Sequence, residues 1–246
     1  MANWNDPQPR TGFGASPSLD GRAAGRATYD MGLRRHMLSI YNYMASGVLL
    51  SGIVAMLFAN SGMAAQMVNS PIKWVVMLAP LGFVLAMNFG INRMKTSTLQ
   101  MLYWGFCVVM GLSLSTIFLV FTASSIATTF FATAAAFAGL SLYGYTTKKD
   151  LSGFGTFLIM GLIGILVAMV INIFVGSTVL QLAISILGVL IFAGLTAYDT
   201  QMLKNQYAQL QGTEFIGKAV VLGALSLYLD FINMFQFLLS FLGQRD

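Results

Sequence analysis

Charged residues are scarce in this 246-residue sequence: Asp, Glu, Lys and Arg together make up 9% of it, whereas 57% of the residues are hydrophobic. Soluble domains usually carry about 25% charged residues. A water-soluble fold of this length would therefore have too few charges to cover its surface. The composition predicts a protein whose solvent is largely a membrane.

Cysteine and histidine are almost absent as well. The single cysteine, Cys107, cannot form an internal disulfide and lies in an apolar segment, so we interpret it as structural. The single histidine, His36, lies at a membrane boundary and has no acidic residue nearby. This excludes a zinc cluster and a Ser-His-Asp triad, and the sequence has no phosphate-binding loop. We therefore expect no enzyme and no resident cofactor.

What the chain does contain is long apolar stretches, which predict an all-α membrane protein with seven transmembrane helices. Most of them approach the ~20 residues that a helix needs to cross hydrocarbon. The second is short and contains Pro80 and Gly82, which indicates a kink or an earlier start. The predicted spans are Met37–Ala59, Trp74–Phe89, Leu99–Phe121, Ile126–Tyr145, Phe154–Val175, Val179–Leu203 and Ala219–Leu242.

Basic residues fall on alternate sides of these spans. With seven spans, 11 of the 13 basic residues lie on the side of the N-terminus, and only Lys73 and Arg245 lie on the other. The 11 are Arg10, Arg22, Arg26, Arg34, Arg35, Arg93, Lys95, Lys148, Lys149, Lys204 and Lys218. Since basic loops stay in the cytoplasm, the N-terminus is predicted inside and the C-terminus outside. Basic residues that set orientation in this way do not indicate nucleic-acid binding.

Residues 1–35 differ in composition from the rest of the chain. They are rich in Gly, Pro, Ser, Asn and Arg and show no apolar periodicity. Such a stretch cannot bury enough apolar surface to offset its chain entropy. We therefore predict a disordered cytoplasmic tail over residues 1–35 and a seven-helix transmembrane domain over residues 36–246. The tail lacks the pattern of a signal peptide, because no apolar core follows closely behind a basic start.

Two of the eight acidic residues, Asp199 and Asp230, stand alone in apolar spans. A charged Asp near the centre of a bilayer costs roughly 2.5–3.5 kcal/mol on insertion scales. It is tolerated where it faces a polar cavity, shares a proton or binds a cation. The alternative is a neutral Asp that holds helices together by hydrogen bonding.

The predicted helix geometry favours a pair. Asp199 lies ~6 Å from the inner end of span six, and Asp230 lies ~16 Å along span seven. Side chains tilt toward the N-terminus of their helix, so in antiparallel spans these two carboxyl groups lean toward each other. Thr196, Ser226 and Asn233 are predicted to supply polar support on the same helix faces.

Two adjacent carboxylates in a low dielectric cannot both ionise easily, so the pair is expected to titrate as one coupled unit. Ionised, it offers the hard oxygens that Ca²⁺ prefers. We therefore predict Asp199 and Asp230 as a pH sensor, a gate and the metal-contacting residues of a candidate Ca²⁺ path.

Three sequence runs resemble signatures of a known family. Gly194-Leu-Thr-Ala-Tyr-Asp-Thr-Gln201 and Ala224-Leu-Ser-Leu-Tyr-Leu-Asp-Phe-Ile-Asn-Met-Phe235 are similar to the signature of the Bax inhibitor-1 (transmembrane Bax inhibitor motif) family. Ser141-Leu-Tyr-Gly-Tyr-Thr-Thr-Lys-Lys-Asp150 resembles its bacterial YccA-type branch. The resemblance covers residues 35 to 243.

This resemblance implies a fold whose C-terminal helix is central and enclosed by the other six. It also implies a pH-sensitive Ca²⁺ leak channel of the bacterial inner membrane, in which Asp199 and Asp230 are sensor and gate. Ca²⁺ is then a transported or transiently bound ion rather than a cofactor. By position, Arg93 corresponds to an arginine that latches the first aspartate in relatives, although an ordinary cytoplasmic anchor is the alternative.

Two other functions compete with the channel. The YccA-type branch implies association with the membrane-bound ATP-dependent protease FtsH as a modulator, which the N-terminal tail would serve. Paired aspartates in adjacent spans also occur in intramembrane aspartyl proteases. Those enzymes have glycines before the second aspartate, whereas here bulky Leu227, Tyr228 and Leu229 precede Asp230. The sequence therefore argues against proteolysis.

Overall fold

The computed structural model describes residues 19–244, and over this range the chain is helical and has no β-strand. A 3-10 turn, Ser115–Leu119, continues the fourth helix. The α-helices of this range are α1 (Leu19–Asn60), α2 (Met63–Val68), α3 (Ile72–Gly90), α4 (Thr96–Leu114), α5 (Ala123–Thr146), α6 (Ser152–Val175), α7 (Thr178–Leu210) and α8 (Phe215–Leu242).

Seven of the helices in the described range are long and apolar enough to cross a membrane. They confirm the predicted all-α fold, and each predicted span lies on one of them in the same order. Only α2, with 6 residues, was missed, because so short a helix carries no readable periodicity. The second span, α3, starts at Ile72 and not at Trp74, and contains Pro80.

The first helix begins well before the predicted start of the membrane domain. Residues 19–35, assigned to the disordered tail from composition, are helical. Leu33 is buried and the ring of Tyr29 lies 5.4 Å from that of Tyr207. The prediction is wrong for this stretch because Tyr29, Leu33 and Met37 follow one another at four-residue spacing, which presents one apolar face of a helix to the core. Residues 1–18 of the predicted tail lie outside the described residues.

The C-terminal helix α8 is the most deeply placed of the spans. Half of its most apolar stretch is buried inside the protein, compared with 11% for α3 and α6. Val221, Ala224, Leu227 and Tyr228 have no exposed surface. The main packing partners of α8 are α7, α1, α5 and α4. A central position for α8 agrees with this packing, whereas its enclosure by all six other spans stays a prediction.

One buried hydroxyl joins three helices at the middle of the membrane domain. Ser51 Oγ of α1 lies 2.7 Å from the carbonyl oxygen of Cys107 in α4 and 2.6 Å from the hydroxyl of Tyr228 in α8. Polar groups buried between membrane helices are stabilised when they bond across the helix interface. This three-helix contact positions α8 against α1 and α4.

Helices α6 and α7 can approach closely because α6 has a glycine, with no side chain, at the point of contact. A Cβ at Gly155 would lie 2.4 Å from the ring of Tyr198, so only glycine fits at this position. Tyr198 immediately precedes Asp199. The tight contact therefore fixes the turn of α7 that carries the first aspartate.

Candidate functional site

The two intramembrane aspartates meet between α7 and α8. These helices are joined by the short link at residues 211–214 and pack against each other along their length. The side chains of Asp199 and Asp230 are close enough to influence each other directly. The structure thus brings together the pair that the sequence predicted.

Asp230 is the enclosed member of the pair. Only 4% of its surface is exposed, and its Oδ2 atom has no hydrogen-bond donor among the described residues. A buried carboxyl oxygen without a donor is costly. A proton held between the two carboxyl groups would remove this cost, because a protonated carboxyl is itself a donor.

Asp199 is the partly exposed member, and α8 supplies its donor. The hydroxyl of Ser226 donates to Asp199 Oδ2. Ser226 lies four residues, about one helical turn, before Asp230. One face of α8 therefore provides both groups that touch Asp199, namely a hydroxyl donor and a second carboxyl group.

The other two predicted supporting residues do not bond to the pair. The hydroxyl of Thr196 donates to the carbonyl oxygen of Phe192 at 2.8 Å, and the Asn233 amide donates to that of Leu229 at 2.8 Å. Each side chain thus finds its hydrogen-bond acceptor on its own helix. Of the three predicted supporting residues, only Ser226 contacts an aspartate directly.

Beside the pair runs a chain of hydroxyl groups that the sequence did not reveal. The hydroxyl of Tyr41 in α1 lies 2.6 Å from Ser141 Oγ in α5, which lies 2.9 Å from Thr200 Oγ1 in α7. Thr200 in turn donates to the carbonyl oxygen of Thr196 at 2.8 Å. Thr196 and Thr200 lie four residues apart on either side of Asp199. This spacing of polar residues was the one sequence feature that could have indicated the hydroxyl chain. The chain connects three spans at the level of the site.

Two residues after Asp199, Gln201 begins a set of hydrogen bonds that join α7 to the link between α5 and α6. The side chain of Gln201 accepts from the backbone N–H of Leu151 at 2.9 Å and donates to the carbonyl oxygen of Lys149 at 2.8 Å. Lys204 Nζ donates to the carbonyl oxygen of Tyr145 at 2.7 Å. These bonds hold the C-terminal part of α7 in place, so that Asp199 lies on a restrained segment.

Arg93 is not brought to the aspartates. It lies exposed on the turn after α3, and its backbone N–H donates to the carbonyl oxygen of Gly90 at 2.9 Å. Its side chain forms no ion pair with a described carboxylate. The basic residue that joins α8 to this turn is Lys218, whose Nζ donates to the carbonyl oxygen of Ile91 at 2.9 Å. The latch role of Arg93 stays a prediction.

As a cation site, the pair has few ligands. Among the side chains that the structure describes, at residues 28–244, no cluster of three or more His, Cys, Asp or Glu is placed to hold a metal ion. Two carboxyl groups and the Ser226 hydroxyl are the side-chain oxygens present, whereas Ca²⁺ takes six to eight oxygen ligands, waters included. Such a set of ligands suits a cation that binds transiently and keeps part of its hydration shell.

Comparison with known proteins gives a consistent result over nearly the whole chain. The family model described as "Inhibitor of apoptosis-promoting Bax1" matches residues 33–246. An uncharacterized protein of Caulobacter vibrioides is 48% identical over 226 residues, which cover 87% of this chain and 90% of that protein. The inner membrane protein YbhL of Escherichia coli is 43% identical over 218 residues, which cover 87% of this chain and 93% of YbhL.

Proposed function

The chain belongs to the Bax inhibitor family, and from this premise we propose that it is a pH-sensitive Ca²⁺ leak channel of the inner membrane, gated by the aspartate pair. The observation that carries the proposal is the close approach of Asp199 and Asp230 inside membrane-spanning helices. The name of the relative YbhL supports an inner-membrane location.

Protonation changes the sign of the interaction between the two helices. With one proton on the pair, the carboxyl groups form a hydrogen bond that draws α7 and α8 together. Without it, the two groups carry like charges, and two such charges ~4 Å apart repel by about 4 kcal/mol at an effective dielectric constant of about 20. A difference of this size is sufficient to shift a helix pair between two arrangements.

Ca²⁺ and protons compete for the same oxygen atoms. The ionised pair and the Ser226 hydroxyl offer oxygen ligands, whereas a protonated carboxyl group binds Ca²⁺ poorly. Lowering the pH therefore weakens Ca²⁺ binding at the pair. Because Asp199 is partly exposed and Asp230 is enclosed, we infer that an ion meets Asp199 first.

The packing before Asp230 supports a channel over a protease. Leu227 and Tyr228 have no exposed surface, and Tyr228 is bonded to Ser51. A substrate backbone would have to displace these packed side chains to reach Asp230. We accordingly propose that the pair does not catalyse peptide hydrolysis.

The orientation of the channel follows from its charges. Lys148, Lys149, Lys204 and Lys218 lie at the ends of α5 to α8 that face the N-terminal side. Because basic segments remain cytoplasmic, we propose a cytoplasmic N-terminus and a periplasmic C-terminus.

Calcium flux into vesicles tests the gate. Purified protein is reconstituted around a trapped Ca²⁺ dye, and flux is measured as a function of pH for the parent, Asp199→Asn and Asp230→Asn. Both substitutions are expected to remove the pH dependence, because an amide cannot exchange the proton. Asp150→Asn, at an exposed carboxylate outside the spans, is the matched control and should leave the profile unchanged. Parental profiles in both pair variants would disprove the gate.

A second candidate function is modulation of the membrane-bound protease FtsH without transport. It rests on the sequence resemblance and is compatible with a channel. Deleting residues 1–18 leaves every described helix intact, and it should abolish co-purification of the protease if the N-terminal segment is what the protease grips. Co-purification that is unaffected by the deletion would exclude this role for the segment.

A further inference from the structure

A long apolar slot, separate from the aspartate pair, opens between α1 and α5. Its volume is about 760 Å³, and its walls are formed by Met37, Tyr41, Ala134 and Ala138 over a floor that includes Phe231 of α8. Both α1 and α5 pack against α8. The slot exists because α5 presents alanines where larger side chains would fill the space between the two helices.

The slot has the length of one leaflet together with its headgroup region. Its lining on α1 extends from Arg34 to Leu49, and the 15-residue step between them corresponds to a rise of ~22 Å along a helix. One leaflet of hydrocarbon is about 15 Å deep, half of a ~30 Å core. A single acyl chain with the adjoining headgroup region therefore matches the slot from end to end.

The rim of the slot faces the bilayer. Leu38, Leu49 and Leu142 all contribute to it and are 49%, 64% and 63% exposed. Large exposed leucines on spanning helices indicate contact with lipid tails. A ligand thus enters sideways from hydrocarbon.

One end of the slot is cationic. Arg34 lines it, is exposed, and forms no ion pair with a carboxylate of the described residues. Lys148 and Lys149 follow α5 on the same side of the membrane and are exposed. A guanidinium group binds phosphate oxygens in a fork geometry. The charge of this end complements an anionic headgroup.

The walls are too close together for a helix. The hydrogen bond of 2.6 Å between Tyr41 and Ser141 joins α1 to α5 across the slot. A helix with its side chains is about 10–12 Å wide, whereas an acyl chain is a single file of methylene groups. The bridge therefore favours a lipid tail over a helix from a partner or from a second copy of this chain.

We propose that the slot is a binding site for one anionic phospholipid, with an acyl chain between α1 and α5 and its phosphate at Arg34. The bound chain completes the wall that the alanines of α5 leave open. It also covers Tyr41 and Ser141, the outer members of the hydroxyl chain that reaches Thr200 beside Asp199.

Native mass spectrometry of the full-length protein in detergent tests the site with defined lipids. Dioleoyl-phosphatidylglycerol, dioleoyl-phosphatidylcholine and free glycerol phosphate are added in turn. One phosphatidylglycerol per protein is expected to remain bound, phosphatidylcholine is expected to bind more weakly, and glycerol phosphate should not compete. If glycerol phosphate competed fully, the protein would be binding only the phosphate at its surface and not the acyl chain. That result would overturn the proposal.

A substitution that fills the slot distinguishes lipid bound in the slot from lipid bound elsewhere on the protein surface. Ala138→Phe should lower phosphatidylglycerol affinity about tenfold, which corresponds to about 1.4 kcal/mol. Ala136→Phe is the matched control, because Ala136 is exposed about 200° around α5 from Ala138. Arg34→Gln should reduce the preference for phosphatidylglycerol over phosphatidylcholine.

Equal affinities in Ala138→Phe and Ala136→Phe would overturn the proposal, as would a protein dimer that dissociates only in Ala138→Phe. Melting temperatures of both variants are measured in detergent first. If Ala138→Phe does not fold, the phosphatidylglycerol affinities of Ala138→Leu and Ala134→Leu are compared with that of the control instead. None of these measurements depends on ion flux, so their outcome is independent of the proposed channel.

Discussion

Gly144 of α5 lies directly against the backbone carbonyl group of Ala197 in α7, so close that a Cβ at Gly144 would be 2.1 Å from the carbonyl oxygen. The obstacle is backbone and cannot rotate away. Ala197 stands two residues before Asp199. The contact therefore sets both the spacing of α5 from α7 and the position of the first aspartate.

Gly144→Ala should accordingly destabilise the protein by about 1–3 kcal/mol, the usual cost of overpacking a closely packed interior. Gly139→Ala is the matched control on the same helix, because a Cβ at Gly139 meets no atom within 4 Å. Thermal unfolding in detergent measures both. Equal melting temperatures for the two variants would contradict the close contact.

Ser226→Ala removes the donor to Asp199 and should cost about 1–3 kcal/mol, because a partly buried carboxyl oxygen then loses its donor. The loss should be smaller in the Asp199→Ala background, which has no side-chain acceptor for the Ser226 hydroxyl. A double-mutant cycle on unfolding in denaturant gives the coupling energy. Ser39→Ala, which affects only a bond to its own helix at Arg35, serves as the control. Additive effects of Ser226→Ala and Asp199→Ala would exclude a direct interaction.

Tyr41→Phe breaks the first link of the hydroxyl chain and should lower stability by about 0.5–1.5 kcal/mol, the net value of one hydrogen bond. Tyr143→Phe, at an exposed tyrosine of α5 whose hydroxyl has no partner among the described residues, should change stability little. Melting temperatures compare the two. A larger loss in the control would show that the Tyr41 bond is absent.

Gln201→Ala releases the link between α5 and α6, because it removes one donor and one acceptor that hold Lys149 and Leu151. Trypsin should then cleave after Lys148 or Lys149 about tenfold faster, which corresponds to about 1.4 kcal/mol of easier local opening. Gln206→Ala, further along α7, is the comparison variant. Unchanged cleavage in Gln201→Ala would mean that other contacts order the link.

Asp150 lies outside the spans and gives a pH test of the same link. The hydroxyl and the backbone N–H of Ser152 donate to Asp150 Oδ1 at 2.7 and 2.9 Å and hold the pKa of this exposed carboxyl below its usual value. A pKa that is lower in the folded state stabilises the fold above the unfolded pKa of about 3.9, and this contribution is lost as the pH falls through the folded pKa.

Asp150→Ala should therefore slightly lower the melting temperature near neutral pH, and the difference should vanish in acid. Asp30→Ala, at another exposed carboxylate, is the control. A difference between Asp150→Ala and the parent that persists below the folded pKa would show that the effect is not due to the charge.

The tail and the aspartate pair illustrate what can and cannot be predicted from sequence. Gly and Arg in residues 19–35 obscured a helix because a few apolar residues at four-residue spacing are enough when they dock against a ring such as Tyr207. The pair was predictable because a carboxyl group in an apolar span requires a partner, and only two such groups exist. Thr196 and Asn233 were predicted to support the pair, yet each bonds to its own helix, since a hydroxyl or amide in a helix always has a carbonyl oxygen within reach one turn away.

The spans and the isolation of two carboxyl groups follow from the order of residues alone, because a bilayer imposes a length and an apolar composition that can be read residue by residue. The packing of the helices was needed to establish that Asp199 receives its hydrogen bond from Ser226, that Arg93 lies on an exposed turn, and that α1 and α5 leave a slot between them. These outcomes depend on the rotation of each helix and on its distance from its neighbours. Contacts such as that of Gly144 with Ala197 set both. Within hydrocarbon, helix association is governed by local shape and hydrogen bonding, for which no periodicity in the sequence exists.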